Sequence, residues 1–209
     1  MTTKLYIKDS ENWVWTELPV YNRVEFDERL DEQLDSGSVQ TITDGDEAFE
    51  DYSLYKLVTS DGETEKEEYL FGFDTVEKRG DKYFIHTIEL VELTRILMGI
   101  PIDGMSVTQP LTGTKSTIKD VAKGLCRYGT TYISGERRKI RYEATSDVEE
   151  STISPEFTWE CGTLLWECLC DVGNVINCIP RVVFDNTRHY NPYLLKFEKI
   201  NEVTAEYEL

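Results

Sequence analysis

Tyr83-Phe-Ile-His-Thr-Ile-Glu-Leu90 decides the class of fold. Aromatic and β-branched residues dominate it, and such side chains suit a half-buried pleated surface, so the stretch predicts a strand. Leu93 and Leu97 just beyond it predict a turn or short helix. Working backwards, Lys78-Arg-Gly-Asp81 supplies a hairpin tip in which glycine gives the backbone freedom a tight turn needs. Glu68 to Val76 alternates apolar and polar residues and forms the other arm. The same alternation over Tyr52 to Thr59, with Asp61-Gly62 as the connection, predicts another hairpin with a charged, solvated loop. In that setting Arg79-Gly80-Asp81 reads as turn chemistry and not as an adhesion motif.

Towards the N-terminus, Lys4 to Val14 and Pro19 to Phe26 are short β-branched or aromatic runs and predict strands. Leu30 and Leu34 stand four apart, as on a helix. Val24, Phe26, Val39 and Thr41, however, alternate around the turn cluster Asp35-Ser-Gly-Ser38, which favours strand, turn, strand. Asp44-Gly-Asp46 is another turn. The texture changes at Gly99-Ile-Pro-Ile-Asp-Gly104, and Pro110 to Thr114 reads as a connection, which puts a domain boundary near residue 110.

Beyond that boundary, Thr117 with Asp120 predicts an N-terminal cap for a helix over 117–127, whose one face carries Ile118, Val121, Ala122 and Leu125. Tyr132 to Glu143 reads as extended and basic, Asp147 to Ser154 as a polar loop closed by Pro155, and Phe157-Thr-Trp159 as a short strand. Thr163 is expected to cap a second helix with Leu164, Leu165, Cys168, Leu169 and Val172 on its apolar face and Gly173 as its stop. Val175 to Phe184 and Tyr193 to Ile200 then predict a strand pair around Asp185 to Pro192.

Composition narrows the function classes. The 209 residues, 40% hydrophobic and 11% aromatic, suffice for one good core or two small ones. No stretch approaches the roughly 18 apolar residues of a membrane span, and Met1-Thr-Thr-Lys-Leu-Tyr-Ile lacks the apolar centre of a signal peptide, so a cytoplasmic origin is expected. Residues 1–80 hold 21 acids against 8 bases, net −13, while the rest of the chain is net −5. Such a field repels phosphate backbones and anionic lipid, which argues against sequence-specific nucleic-acid binding and against membrane association.

Five cysteines, Cys126, Cys161, Cys168, Cys170 and Cys178, are an odd number crowded into the second half, a poor disulfide framework. Cys168 and Cys170 point to different sides of a helix, and neither His86 nor His189 has ligand spacing. The thiols are therefore expected to be reduced, buried and free of metal, and no cofactor is expected.

Acidic pairs such as Asp27/Glu28 or Glu149/Glu150 could be imagined as general acid and base, but 40 acids produce such pairs by coincidence. No His or Cys nucleophile sits in a recognisable motif and no glycine-rich phosphate loop occurs, so an enzyme, in particular a peptidoglycan hydrolase, is not expected. A carbohydrate- or receptor-binding module is the main alternative. Trp13, Trp15, Tyr21, Tyr128, Tyr132 and Tyr190 could serve it as stacking platforms, although aromatics at alternating positions belong more often to strand cores.

Taken in order, Leu30 to Ser38, the strand through His86 into Glu89-Leu-Val-Glu92, the capped Thr117-Ile-Lys-Asp-Val121 and Thr163-Leu-Leu-Trp-Glu167 followed by Ile179-Pro-Arg181 resemble the N-terminal part of bacteriophage tail-tip or baseplate hub proteins. That group includes the hub portion of tail-associated lysins and prophage endopeptidase tail proteins, and the likeness spans most of residues 5–185. The resemblance implies an α+β, mostly β fold, with a β-barrel-like tube domain over residues 1–110 and a smaller α+β domain with two helices over residues 111–209. It implies a virion structural protein that continues or closes the tail tube as a homotrimer, without catalysis. Its partners would be the tail tube, other baseplate or tail-tip proteins and, as a candidate, the tape measure protein. Similar hubs continue past the point corresponding to Leu209 with further domains. In this setting Asp27, Asp31 and Asp35 are expected to face the lumen, where a negative wall keeps passing DNA from adhering.

Overall fold

The alternation on either side of Asp61-Gly62 becomes neighbouring strands of one large sheet. The computed structural model describes residues 2–9, 13–20, 25–27, 36–44, 49–51, 53–60, 62–79, 83–103, 105–107, 117–128, 130–133, 136–142, 156–188 and 192–199. Its fold is α+β and mostly β. Strands β1 (Thr2–Lys8), β2 (Trp15–Leu18), β3 (Glu25–Asp27), β4 (Ser36–Thr43), β5 (Ser53–Ser60), β6 (Glu65–Arg79) and β7 (Tyr83–Glu92) form a seven-stranded sheet in the order β2-β1-β5-β6-β7-β4-β3. Every neighbouring pair is antiparallel.

Because side chains alternate along a strand, the sheet has two buried faces. Tyr55 and Leu57, Ile88 and Leu90, with Leu5, Leu18, Val39 and Leu70, close on one another over one face. The sheet curls over this cluster into a half-barrel, and its ends touch: Val20, just past β2, forms a bridge with Thr41 of β4, and the Thr41 hydroxyl donates to the Pro19 carbonyl at 2.6 Å. Gly72 lies on this face beneath the Tyr55 ring. A Cβ there would run into the ring of Tyr55, so the bare backbone makes room for the tyrosine. Leu54, Phe71 and Val91 emerge on the opposite face and share a cluster with everything that follows.

After β7 the chain enters a short 3-10 helix, Leu93–Gly99, where the sequence placed a turn or short helix carrying Leu93 and Leu97; Leu93, Ile96 and Leu97 are buried. The next residues are laced to a later segment. Ile102 N–H donates to the Thr163 carbonyl at 2.9 Å, Gly162 N–H to the Ile102 carbonyl at 2.9 Å, and Leu165 N–H to the Ile100 carbonyl at 2.8 Å.

Helix α1 (Ile118–Leu125) starts where Thr117 and Asp120 predict. The Thr117 hydroxyl accepts from Asp120 N–H at 3.3 Å and the Asp120 carboxylate accepts from Thr117 N–H at 3.1 Å, so two otherwise orphaned donors are satisfied reciprocally. The Thr117 N–H, and then the Thr117 hydroxyl donating at 2.9 Å, hold the Asp120 carboxyl below its ordinary value. A depressed native value contributes stability above the unfolded pKa of about 4 and loses it as pH falls through the native one. Thr117→Ala is expected to cost about 1 kcal/mol. The check is urea denaturation at constant slope, with the difference from wild type shrinking below pH 4.

The second helix departs from expectation at both ends. Helix α2 is Leu165–Val175, its cap position is Leu164, which has no side-chain oxygen to offer, and Thr163 lies outside it. Glu167 supplies the acid half alone, accepting from Leu164 N–H at 3.4 Å. Nor does Gly173 stop the helix. A Cβ there would strike the Cys178 carbonyl, so this glycine permits a close approach of the returning chain. The stop lies at Asn177, in the left-handed region with φ 54°.

Other boundaries shift for similar reasons. Of the run Lys4 to Val14, the strand ends at Lys8; Asp9 N–H donates to the Val14 carbonyl at 2.9 Å, and Trp13 stands at φ 59°. Ser36-Gly-Ser38, expected to turn, instead pairs with both β3 and β7. Within Tyr132 to Glu143 fall parts of two strands, β9 (Thr130–Ile133) and β10 (Glu136–Tyr142), which pair antiparallel. A second sheet runs β12-β13-β10-β9, with β12 (Cys178–Phe184) antiparallel to β13 (Tyr193–Lys199) and β13 parallel to β10. β8 (Met105–Val107) and β11 (Phe157–Trp159) form a separate antiparallel pair. The apolar faces of α1 and α2 pack together over the second sheet, and their cluster takes in Leu54, Phe71 and Val91 of the first.

Candidate functional site

Of the acids singled out from sequence, only Asp27 is described, at the far edge of the first sheet. Asp27 ends β3, opposite Ser36, and its side chain is not among those described, while Asp31 and Asp35 lie outside the described residues. Glu28, Glu149 and Glu150 also lie outside them.

A different constellation stands where the two sheets meet. Lys8 ends β1, and its ammonium lies 3.9 Å from the centre of the Trp13 ring, 4.6 Å from Phe184 and 5.0 Å from Trp15. Asn186 accepts from Lys8 Nζ at 3.5 Å and from Trp15 Nε1 at 3.3 Å. Phe184, the last residue of β12, is the centre of this group, with ring centroids 5.2 Å from Tyr69, 5.8 Å from Tyr193, 6.4 Å from Trp15 and 6.5 Å from Trp13. The left-handed backbone at Trp13 costs about 1–2 kcal/mol and turns its ring into this contact. Burial among the rings pushes the Lys8 ammonium down to about 8. Two of the proposed stacking platforms, Trp13 and Trp15, are thus brought together, but against the chain's own lysine and Phe184. Tyr128 packs on the main core, the Tyr132 side chain is not described, and Tyr21 and Tyr190 lie outside the described residues.

Beside this group runs a cleft of about 320 Å³ between β6 and β12, lined among others by Glu67, Tyr69, Glu92, Arg181 and Phe184. Tyr69 O–H donates to Glu67 at 2.8 Å and Lys56 Nζ stands 3.3 Å from the other carboxylate oxygen. The tyrosine bond first, then the lysine, holds the Glu67 carboxyl below its ordinary value, whereas burial pushes the Tyr69 phenol up to about 12. Arg181 Nη1 donates to Glu92 at 2.9 Å, Thr94 Oγ1 donates to the same carboxylate at 2.7 Å, and Val182 N–H donates to Thr94 Oγ1 at 3.0 Å. These bonds pin β12 to the end of β7.

Inside the half-barrel lies a group that sequence reasoning missed. His86 Nδ1 stands 2.7 Å from Asp74 Oδ2 and its Nε2 2.8 Å from Thr43 Oγ1. Phe49 N–H donates to the same Asp74 oxygen at 2.9 Å, and the Phe49 ring covers His86 at 4.9 Å. Hydroxyl, imidazole and carboxylate follow the order of a nucleophilic relay, but the His86 side chain is 1% exposed and that of Asp74 0%, so the group is built into a core. Burial first, and then the Asp74 charge, raises the Tyr55 phenol well above its ordinary value.

Cys126, Cys168 and Cys178 are buried, and burial pushes the thiols of Cys126 and Cys168 up to about 12, far from the thiolate a metal or a reaction would need. Among the described residues no three His, Cys, Asp or Glu side chains converge as metal ligands would. No helix among them is long and apolar enough to cross a membrane.

No protein-family model matches the chain, and no curated protein matches it in sequence. Solved structures do share its fold. A tail protein from Neisseria meningitidis MC58 superimposes with a TM-score of 0.56 at 11% identity, over 93% of this chain and 50% of the other. The 43 kDa tail protein of prophage MuSo2 from Shewanella oneidensis gives 0.52 at 9% identity, over 92% and 52%. A chain of the half-lidded Francisella PdpA–VgrG complex gives 0.54 at 9% identity, over 93% and 31%. The chain therefore spans about half the length of the two tail proteins it matches.

Proposed function

We propose that this chain is a structural component of a phage or phage-like tail, placed at the tail tip or baseplate hub, where it continues or closes the tail tube. The observation that carries the reading is a fold shared with two tail proteins over more than nine-tenths of this chain. In this reading the half-barrel belongs to a hub domain over residues 1–110, the helices and second sheet to an outer α+β domain over 111–209, and three copies form the ring. A ring requires side-to-side heterologous contacts repeated about an axis, and an antiparallel half-barrel supplies lateral faces for them. Its neighbours would be the tail tube and other baseplate proteins, its place the virion tail, and its role that of a scaffold with no catalysis. The acid surplus of residues 1–80 fits a wall past which DNA must slide.

Electron microscopy of tails labelled through this chain tests the reading. Threefold density at the tail tip, with Asp27, Asp31 and Asp35 on the lumen side, is the expected result. Density along the shaft, a lone copy at the tip or a lumen lined by Lys and Arg would contradict it.

A further inference from the structure

Two buried polar atoms inside the half-barrel have no hydrogen-bond partner among the described residues: the Tyr55 hydroxyl and Asp74 Oδ1. Tyr55 is 0% exposed, and so is the Asp74 side chain. Burying either group unpaired is costly, so two of them side by side call for a third participant.

The strand register aims both at one point. Tyr55 stands opposite Leu70, and Leu70, Gly72 and Asp74 follow one another on the same face of β6. The place a Cβ would take at Gly72 is nearer to Tyr55 Cε2 than to its Cδ2. The ring therefore runs along β6 over the glycine, with its hydroxyl end leading towards Asp74. Burial first and then the Asp74 charge raise the Tyr55 phenol, which places the two groups within electrostatic reach of each other. Neither is free to close the gap. The ring is wedged over Gly72, where Ile88 Cγ2 stands 2.9 Å from the same point, and it meets the Phe49 ring edge-on at 6.5 Å. The carboxylate is fixed through its other oxygen by Phe49 N–H at 2.9 Å and His86 Nδ1 at 2.7 Å.

We propose that one water molecule is bound between them as part of the fold, accepting from the Tyr55 hydroxyl and donating to Asp74 Oδ1. Two polar partners meet the minimum that a buried water needs, and rigid neighbours hold them in place. A metal ion fits worse, because one carboxylate oxygen and one phenol are far fewer ligands than Mg²⁺ or Ca²⁺ takes. With the water, Thr43, His86, Asp74 and Tyr55 become an unbroken polar chain across β4, β7, β6 and β5, four strands that lie side by side. The inference uses burial and register and stands independently of the hub reading.

High-resolution crystal structures of the full chain and of Tyr55→Phe test it. The expected result is one density peak about 2.7–3.0 Å from both Tyr55 Oη and Asp74 Oδ1, missing from Tyr55→Phe, whose ring still covers Gly72. An empty gap, a direct bond from Tyr55 Oη to Asp74, or another side chain of the protein at that point would overturn the proposal. So would a peak with the anomalous signal of a metal, or one that persists unchanged in Tyr55→Phe. Should Tyr55→Phe fail to fold, the wild-type density decides alone.

Discussion

His86→Leu is expected to destabilise the protein by about 3–5 kcal/mol, because it strands the carboxylate of Asp74 inside the half-barrel. Asp74 Oδ2 accepts from Phe49 N–H and is met by His86 Nδ1, while Asp74 Oδ1 has no hydrogen-bond partner among the described residues. Remove the imidazole and a fully buried acid keeps a single backbone donor. Asp74→Leu/His86→Leu removes the charge with its partner and is expected to be less destabilised than His86→Leu alone, since deleting both members of a buried pair avoids the desolvation cost of one left over. Chemical denaturation of the two variants checks this. Equal stabilities would show that the network contributes little beyond packing.

Leu169→Ala is expected to cost about 2–5 kcal/mol. Leu169 is 1% exposed and lies with Leu165, Cys168 and Val172 on the face of α2 that meets α1 and the second sheet. Cores are packed to crystal density, so removing a buried isobutyl group leaves a void that neighbours on rigid elements cannot close. Thermal unfolding reads the loss directly, and an unchanged Tm would contradict this placement of the helix.

What could be read from sequence was whatever local periodicity encodes. The two hairpins joining β5, β6 and β7 follow from alternation punctuated by turn residues, and α1 from Thr117 and Asp120 three positions apart. The missed features depend on strands that meet across long stretches of chain. Gly173 looks like a helix stop because glycine usually is one there; its actual reason, the carbonyl of Cys178 against the helix, exists only once β12 folds back. His86 looked like a ring without ligand spacing, since Thr43 and Asp74 become its neighbours through the registers of β4 and β6 on β7. Trp13 and Trp15 were recognisable as aromatic platforms, but not that Phe184 would occupy them. The charge asymmetry of the chain was plain from composition.

The aromatic meeting of Trp13, Trp15 and Tyr69 with Phe184 also sets a schedule for synthesis. Phe184 leaves the ribosome 115 residues after Tyr69, a delay on the order of 10 s at roughly 5–20 residues per second. The first sheet is complete at Glu92, early in that interval, yet the face bearing Leu54, Phe71 and Val91 is not fully covered until α1, α2 and β12 arrive. For those seconds the nascent chain presents a wet aromatic and aliphatic surface beside strand edges, the combination that draws chaperones and drives aggregation. Chains released before Phe184 would keep that surface permanently, so truncated products should be the insoluble ones.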